Sequence, residues 1–314
     1  MTTRPRDTAD RRPAAAAARP AAGTGTFPGL AGAAIQAARP RQWPKNLLVF
    51  AAPLAGATLG RDDGFLYALV AFAAFTAASS AVYLINDVLD VERDRLHPTK
   101  RLRPVAAGRL PERVALTLAA IALALAVGAG LAIREPLLSA LIGGYVALSL
   151  LYSSVLKHVP WVELGFVAGG FVLRALGGAV ATHVPPSGWF LTVCSLGALM
   201  VAAGKRYTEL AALGARAVAH RPVMRWYRAA LLRALQRAAA AGLLAAYLFW
   251  ALSGHTAWMR GWHLASLVPL TAALIRFDRL TERADGRPVE DLIAKDLVMI
   301  GSELSWLALF LAGL

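Results

Sequence analysis

Asn86, Asp90 and Asp94, in the string NDVLDVERD at 86–94, are the residues of this chain best suited to chemistry. They recur every four residues, so on a helix they form one polar stripe, each step about 6 Å along the axis. Like charges at that spacing repel, and carboxylates at membrane depth are costly, so a structural element has no reason to collect them. Oxygen ligands in a row suit a hard cation, and Mg²⁺ characteristically takes one or two carboxylates plus substrate phosphate oxygens. The plain alternative is a solvated helix end with ordinary surface acids, which would satisfy a pair better than this triplet. The following string, RLHPTKRLRPVAAGRLP, sets Lys100, Arg101, Arg103 and Arg109 close behind the acids. Cations beside a metal–carboxylate cluster are what a polyphosphate substrate needs. Lys100 and Arg101 are assigned to phosphate; Arg109 is read as topogenic charge.

A second polar cluster, AAGKRYTELAALG, places Lys205 and Glu209 on one helix face, flanked by Arg206 and Tyr207. Such an i,i+4 pair is commonly a surface ion pair worth about 0.2–0.5 kcal/mol. Its position at the same membrane face as the first stripe makes a site equally admissible, and both readings stay open on the residues alone. Smaller candidates are Tyr152 and Lys157 in LYSSVLKH, and Arg174 inside an apolar run, which should face the interior and meet an anion. Arg276, Asp278, Asp291 and Asp296 form a last group, where two of the acids balance Arg279 and Lys295.

The elements that must position these residues are apolar helices. Of 314 residues, 57% are hydrophobic and 17% charged, against about 45–50% and 25% in soluble domains. The excess is gathered into runs near the ~20 residues that cross a bilayer. The chain is therefore expected to be an all-α, polytopic membrane protein, which excludes soluble enzymes, disulfide scaffolds and disordered tails as its class. About nine spans are drawn, at roughly 46–60, 65–89, 113–133, 136–156, 161–181, 187–207, 228–253, 262–278 and 294–313, the first broken or tilted by Pro53. The glycine pairs 143–144, 169–170 and 177–178 are read as close helix packing. Residues 1–36 read as a disordered basic tail and 37–314 as the transmembrane domain. ARPRQWPKN, with Trp43, Arg39, Arg41 and Lys45, reads as an interfacial anchor.

All but four of the 33 Lys and Arg fall on one side of this topology. The positive-inside rule puts that side, with the N-terminus and the long loops, in the cytoplasm. The net charge of +14 is thereby explained without nucleic acid. The single cysteine, Cys194, and the scattered histidines give no disulfide framework and no transition-metal spacing.

The form NxxxDxxxD resembles that of the UbiA-like intramembrane prenyltransferase superfamily, which implies nine helices around a central cavity and Mg²⁺–diphosphate held by the first motif. The chain departs from the superfamily where a second DxxxD is expected, since Lys205 and Glu209 stand there. With RPRQWPKN, HPTKRLRP and AGKRYTEL, that departure is similar to one branch, the decaprenyl-phosphate phosphoribosyltransferases of cell-wall arabinan synthesis, across residues 38–314. The resemblance implies phosphoribosyl pyrophosphate (PRPP) as donor and decaprenyl phosphate as acceptor, at the cytoplasmic face of the cell membrane. It implies Asp90, Asp94, Lys205 and Glu209 as catalytic, and Asn86, Asp90 and Asp94 as the Mg²⁺ ligands. It implies Lys45, Asn46, Asn86, Lys100, Arg101, Arg103, Tyr152, Lys157, Arg174, Arg206 and Tyr207 as substrate-binding. A homo-oligomer is expected, a trimer as a guess.

Two other readings are weighed against it. An aromatic prenyltransferase of the same fold, using a prenyl diphosphate, predicts an acidic second motif, against which Lys205 speaks. A transporter predicts polar residues deep in several helices, whereas here only Arg174 is deep.

Overall fold

The structure is a computed structural model, and it describes residues 29–61, 63–214, 222–253, 256–283 and 289–314. Among these the chain is helical throughout, with no strand. Helix α1 (Leu30–Ala37) leads into a 3₁₀ segment, Pro40–Phe50, and a short helix α2 (Ala51–Ala55). Then come α3 (Gly64–Leu89), α4 (Val91–Leu96), α5 (Glu112–Ala132), α6 (Pro136–Ser154) and α7 (Val162–Ala181). The remainder is α8 (Gly188–Leu213), α9 (Ala229–Leu252), α10 (Ala257–Glu282), α11 (Val289–Ile293) and α12 (Leu297–Ala312).

Helices α3, α5, α6, α7, α8 and α9 are long and apolar enough to cross a membrane, and the protein is a multi-pass membrane protein. The count of nine is not reproduced by length and apolarity alone. Helix α10 has the length, at 26 residues, but carries Arg260, Arg276, Asp278 and Arg279, and α12 has only 16 residues. The expected first span is two pieces, the end of the 3₁₀ segment at Phe50 and α2, which carries Pro53 and stops at Ala55; Pro44, within the 3₁₀ segment, lacks the N–H that a regular α-helix would use there. The expected tail includes residues 1–28, which lie outside the described residues; from Leu30 the chain is helical. Alanines make that possible: Ala33 and Ala37 are buried against Ala81, Leu84 and Leu110.

Packing is made by small residues. Helix α3 lies on α5, α7 on α8, α8 on α9 and α10 on α12. A Cβ at Gly178 would lie 1.7 Å from the Val49 carbonyl oxygen, and one at Gly177 would lie 2.2 Å from the Phe75 ring. This glycine pair lets the 3₁₀ segment and α3 press onto α7, as expected. Gly143 and Gly144 differ: they face outward on α6, and nothing approaches within 4 Å.

Caps mark where the chain enters the bundle. Ser187, Thr256 and Asp296 accept from backbone N–H groups three residues on, starting α8, α10 and α12. The long helices alternate in direction, so the end of α3, the start of α5, and the α6–α7, α8–α9 and α10–α12 junctions share one face. The charged side chains collect there. Exposed Trp161 and Trp226 lie at this face and Trp189 and Trp258 at the other, an arrangement suited to two membrane interfaces.

Candidate active site

The acidic stripe lies where α3 passes into α4. Asp90 interrupts the regular helix, but its N–H still donates to the Asn86 carbonyl at 2.9 Å. The Asp94 N–H donates to the Asp90 carbonyl at 2.8 Å, so the pitch is kept and the three residues form one stripe. Their side chains meet different surroundings. Asn86 Nδ2 donates to Ser153 Oγ of α6 at 3.0 Å, which leaves its amide oxygen as an acceptor. Asp90 is one-third exposed, with Arg93 Nη1 at 3.9 Å. Asp94 is buried, and Arg103 Nη1 donates to its Oδ2 at 2.6 Å.

Asp87 belongs to this cluster and is absent from the residues expected at the site. It is buried and accepts from both Arg39 and Arg103, the latter at 3.3 Å. Its signal was available: Asp87, Asp90 and Asp94 follow i, i+3, i+7, the other way of marking one helix face. Arg39, read only as a membrane anchor, also lies over the Tyr83 ring, 4.7 Å from its centroid. Asp87, Arg39 and Arg103 line a cleft of about 230 Å³ together with Gln36, Thr99 and Leu102. Lys100 and Arg101 lie on an exposed turn beside it, fixed by backbone bonds from Thr99 and Lys100 to His97 Nδ1.

The second cluster is built around a buried ion pair. Arg206 points from α8 to α7, where Nε donates to Glu163 Oε1 at 2.7 Å and Nη2 to Oε2 at 3.1 Å. Its Nη1 reaches Glu209 at 2.8 Å, and Nη2 also reaches Tyr152 Oη at 3.1 Å. Tyr227 donates to Glu163 at 3.1 Å. Burial, chiefly, pushes the Tyr227 phenol up to about 12, so it stays a neutral donor. Glu163 and Tyr227 were not expected here. Neither has a helical spacing to its partner, and only the fold brings them together. Arg206 is therefore held inside the protein, while Lys205, one residue earlier on α8, is exposed. Tyr207 points the other way, where it accepts from Arg233 Nη1 at 3.1 Å; Arg233 also pairs with Glu282 at 2.7 Å.

One helix end joins the clusters. Ser153 bonds Asn86 of the acidic stripe, and its neighbour Tyr152 bonds Arg206 and Glu163. The structure therefore brings together Asn86, Tyr152, Arg206 and Glu209 among the expected residues. Lys157 is half-buried just beyond, before α7.

Arg174 and Asn46 form a separate, deeper pair. Arg174 is buried as expected, but its partners are neutral: Asn46 Oδ1 at 2.7 Å, the Gly170 carbonyl at 2.7 Å and Tyr145 Oη at 2.9 Å. The Tyr145 ring takes part of the charge, with the guanidinium 4.6 Å from its centroid. The expected anion is not among its described contacts. Asn46 donates in turn to Thr76 and Ser79, tying the segment that carries Lys45 to α3. In the last group, Arg276 pairs with Asp296 and Arg237 with Asp278, while the Asp291 side chain lies outside the described residues. The bond from Arg276, with a backbone N–H from Met299, holds the Asp296 carboxyl down at about 2.

Among the described residues no group of three or more His, Cys, Asp or Glu side chains converges to hold a metal unaided. The donor set near Asn86 and Asp90 is all oxygen, at a helix end open to solvent. That chemistry fits Mg²⁺, which draws most of its ligands from substrate phosphate and water.

Residues 26–292 match the model of the UbiA prenyltransferase family. The chain is 39% identical over 285 residues to decaprenyl-phosphate phosphoribosyltransferase of Corynebacterium glutamicum, covering 88% of this chain and 85% of that protein. It is 38% identical over 283 residues to the protein of the same name from Mycobacterium tuberculosis, covering 89% and 93%. A UbiA homolog from Archaeoglobus fulgidus, solved with GPP and Mg²⁺, superposes with a TM-score of 0.68 at 16% identity, over 90% of this chain and 98% of that one. Helical bundle, acid stripe and sequence relatives together lead to one conclusion: this chain belongs to the UbiA prenyltransferase family.

Proposed function

We propose that this protein transfers 5-phosphoribose from PRPP to decaprenyl phosphate, releasing pyrophosphate. The observation that carries the reading is the pairing of an acid stripe with Lys205 and Glu209. This pairing accompanies 38–39% identity over most of the chain to proteins named for that activity. A second cluster of two acids would repel a donor bearing a further phosphate; an exposed lysine attracts it.

Asn86, Asp90 and Asp94 would hold Mg²⁺. A bound Mg²⁺ would supply charge neutralisation for the departing pyrophosphate. Lys100, Arg101 and Lys205 hold phosphates and, with the stripe, orient C1 of the ribose toward the lipid. The bond from C1 to the diphosphate oxygen breaks as an oxygen of the lipid phosphate bonds to C1, inverting the α donor to a β product. The electron pair leaves with pyrophosphate. No general base is required, because the phosphate nucleophile is already ionised near neutral pH. Tyr152 and Glu209, braced by Arg206, shape the wall opposite the stripe. The charged face and the N-terminus are read as cytoplasmic in the cell membrane, and the protein is expected to self-associate as a trimer, which gel filtration tests.

The test uses membranes containing the protein, labelled PRPP, and a panel of polyprenyl phosphates set against prenyl diphosphates with aromatic acceptors. Label is expected in a lipid only with PRPP, a polyprenyl phosphate and Mg²⁺. Prenylation of an aromatic acceptor instead would overturn the reading.

A further inference from the structure

Arg103 places one nitrogen between two buried carboxylates. Its Nη1 lies 2.6 Å from Asp94 Oδ2 and 3.3 Å from Asp87 Oδ1. Asp87 is shared with Arg39, which makes no bond to Asp94 among the described residues. Two arginines thus neutralise two carboxylates, and the acid at the far end of the stripe already has a cation on it.

From this juxtaposition we infer that Arg103 is a resident counter-ion on Asp94 that couples metal binding to diphosphate binding. The inference rests on the proposed metal–diphosphate role of the stripe. A divalent ion approaching Asp94 meets a guanidinium on the same oxygen, and two cations there repel. If Arg103 withdraws, its charge has no ready acceptor, since Asp87 is already shared with Arg39. A diphosphate removes both obstacles. It offers the guanidinium paired oxygens in a fork geometry that carboxylates and phosphates alike provide, and it supplies the metal with further oxygen ligands. Arg103 can make that exchange because it follows the short turn Lys100–Leu102 and is only partly buried, at 28% side-chain exposure. Metal and diphosphate are then mutually dependent ligands, each raising affinity for the other by the same factor.

The test measures protein-bound Mn²⁺, by equilibrium dialysis and electron paramagnetic resonance, on purified full-length protein with and without inorganic pyrophosphate. In the native protein, pyrophosphate is expected to tighten Mn²⁺ binding within the roughly 5- to 150-fold range typical of coupled sites. Arg103→Gln, and Arg103→Met, which keeps the aliphatic stem, should bind Mn²⁺ alone about tenfold more tightly, and pyrophosphate should then tighten it by a clearly smaller factor than in the native protein, through direct metal ligation alone. Arg39→Gln removes a charge from the same cluster without uncovering Asp94, so its effect on Mn²⁺ alone should be clearly smaller. Folded Arg103 variants that bind Mn²⁺ alone no better than the native protein would overturn the inference, as would an equal effect from Arg39→Gln. Absence of bound Mn²⁺ in every protein, even with pyrophosphate, would instead overturn the metal–diphosphate role of the stripe, and this inference with it.

Discussion

Arg206 lies along the carboxylate of Glu163, two N–H···O bonds at 2.7 and 3.1 Å joining residues 43 positions apart. Glu163 is fully buried and Arg206 nearly so, at 4% exposure. Removing one partner of such a pair leaves a buried charge uncompensated, which costs about 3–5 kcal/mol. Arg206→Ala is therefore expected to lower the unfolding temperature in detergent markedly and to lose the protein from well-folded gel-filtration fractions. Normal stability in Arg206→Ala would show that the pair does not brace α7 against α8.

Lys205, its exposed neighbour, should behave in the opposite way. As a surface charge its loss should cost under about 1 kcal/mol of stability. As a phosphate ligand its charge-assisted hydrogen bond is worth about 1.5–3 kcal/mol, a roughly ten- to hundredfold fall in kcat/KM for PRPP. Lys205→Asp with Glu209→Asp should be worse, since it adds repulsion toward the donor. Steady-state kinetics on these variants decide it; unchanged kinetics in Lys205→Ala would remove Lys205 from the site.

Asp90→Ala is expected to abolish transfer while leaving the fold intact, because Asp90 is one-third exposed and Arg93 Nη1 stands 3.9 Å away, beyond hydrogen-bond reach. EDTA should do the same, with recovery on adding Mg²⁺. Transfer that persists in metal-free buffer would contradict the metal assignment.

Gly178 tests how the Lys45–Asn46 segment is held. A Cβ there meets the Val49 carbonyl oxygen at 1.7 Å, an overlap that only a backbone shift relieves. Gly178→Ala should cost about 1–3 kcal/mol and raise KM for PRPP, whereas Gly143→Ala, in open space on α6, should change neither. Thermal melts and kinetics on the two variants compare them directly; equal behaviour would show that α7 tolerates the shift.

Orientation can be read by labelling. In a Cys194→Ser background, cysteines at Arg101 and Arg260 should differ toward an impermeant thiol reagent on intact cells, with only position 260 labelled. Labelling at 101 and not at 260 would turn the proposed topology over.

Much of this was legible because bilayer-spanning helices announce themselves by apolar length, and α3 and α5–α9 do. The stripe at 86–94 was legible because helical period is local. The breaks were harder. Pro53 marks the first span as broken or tilted, and it is broken, but LLVFAAPLAGA is so evenly apolar that nothing in it places the change from 3₁₀ to α at Phe50. The large apolar residues of helix α1, Leu30 and Ile35, are exposed, so nothing in its sequence announced that the small Ala33 and Ala37 would be the buried ones. Asp87 was present in the motif yet masked by the stronger four-residue spacing. Glu163 meets Arg206 and Tyr227, and Arg233 meets Tyr207, only through packing between distant segments, which spacing along the chain does not encode. Arg174 was correctly placed in the interior, but its charge is met by an amide, a carbonyl and a phenol ring.

The most direct measurement of the central claim is product stoichiometry with purified protein in lipid nanodiscs, given PRPP, decaprenyl phosphate and Mg²⁺. The account predicts one pyrophosphate released for each decaprenyl-linked 5-phosphoribose formed, and none of either when decaprenyl phosphate is left out. Pyrophosphate released without a lipid-linked product, or no reaction from a folded protein that instead consumes a prenyl diphosphate, would contradict it.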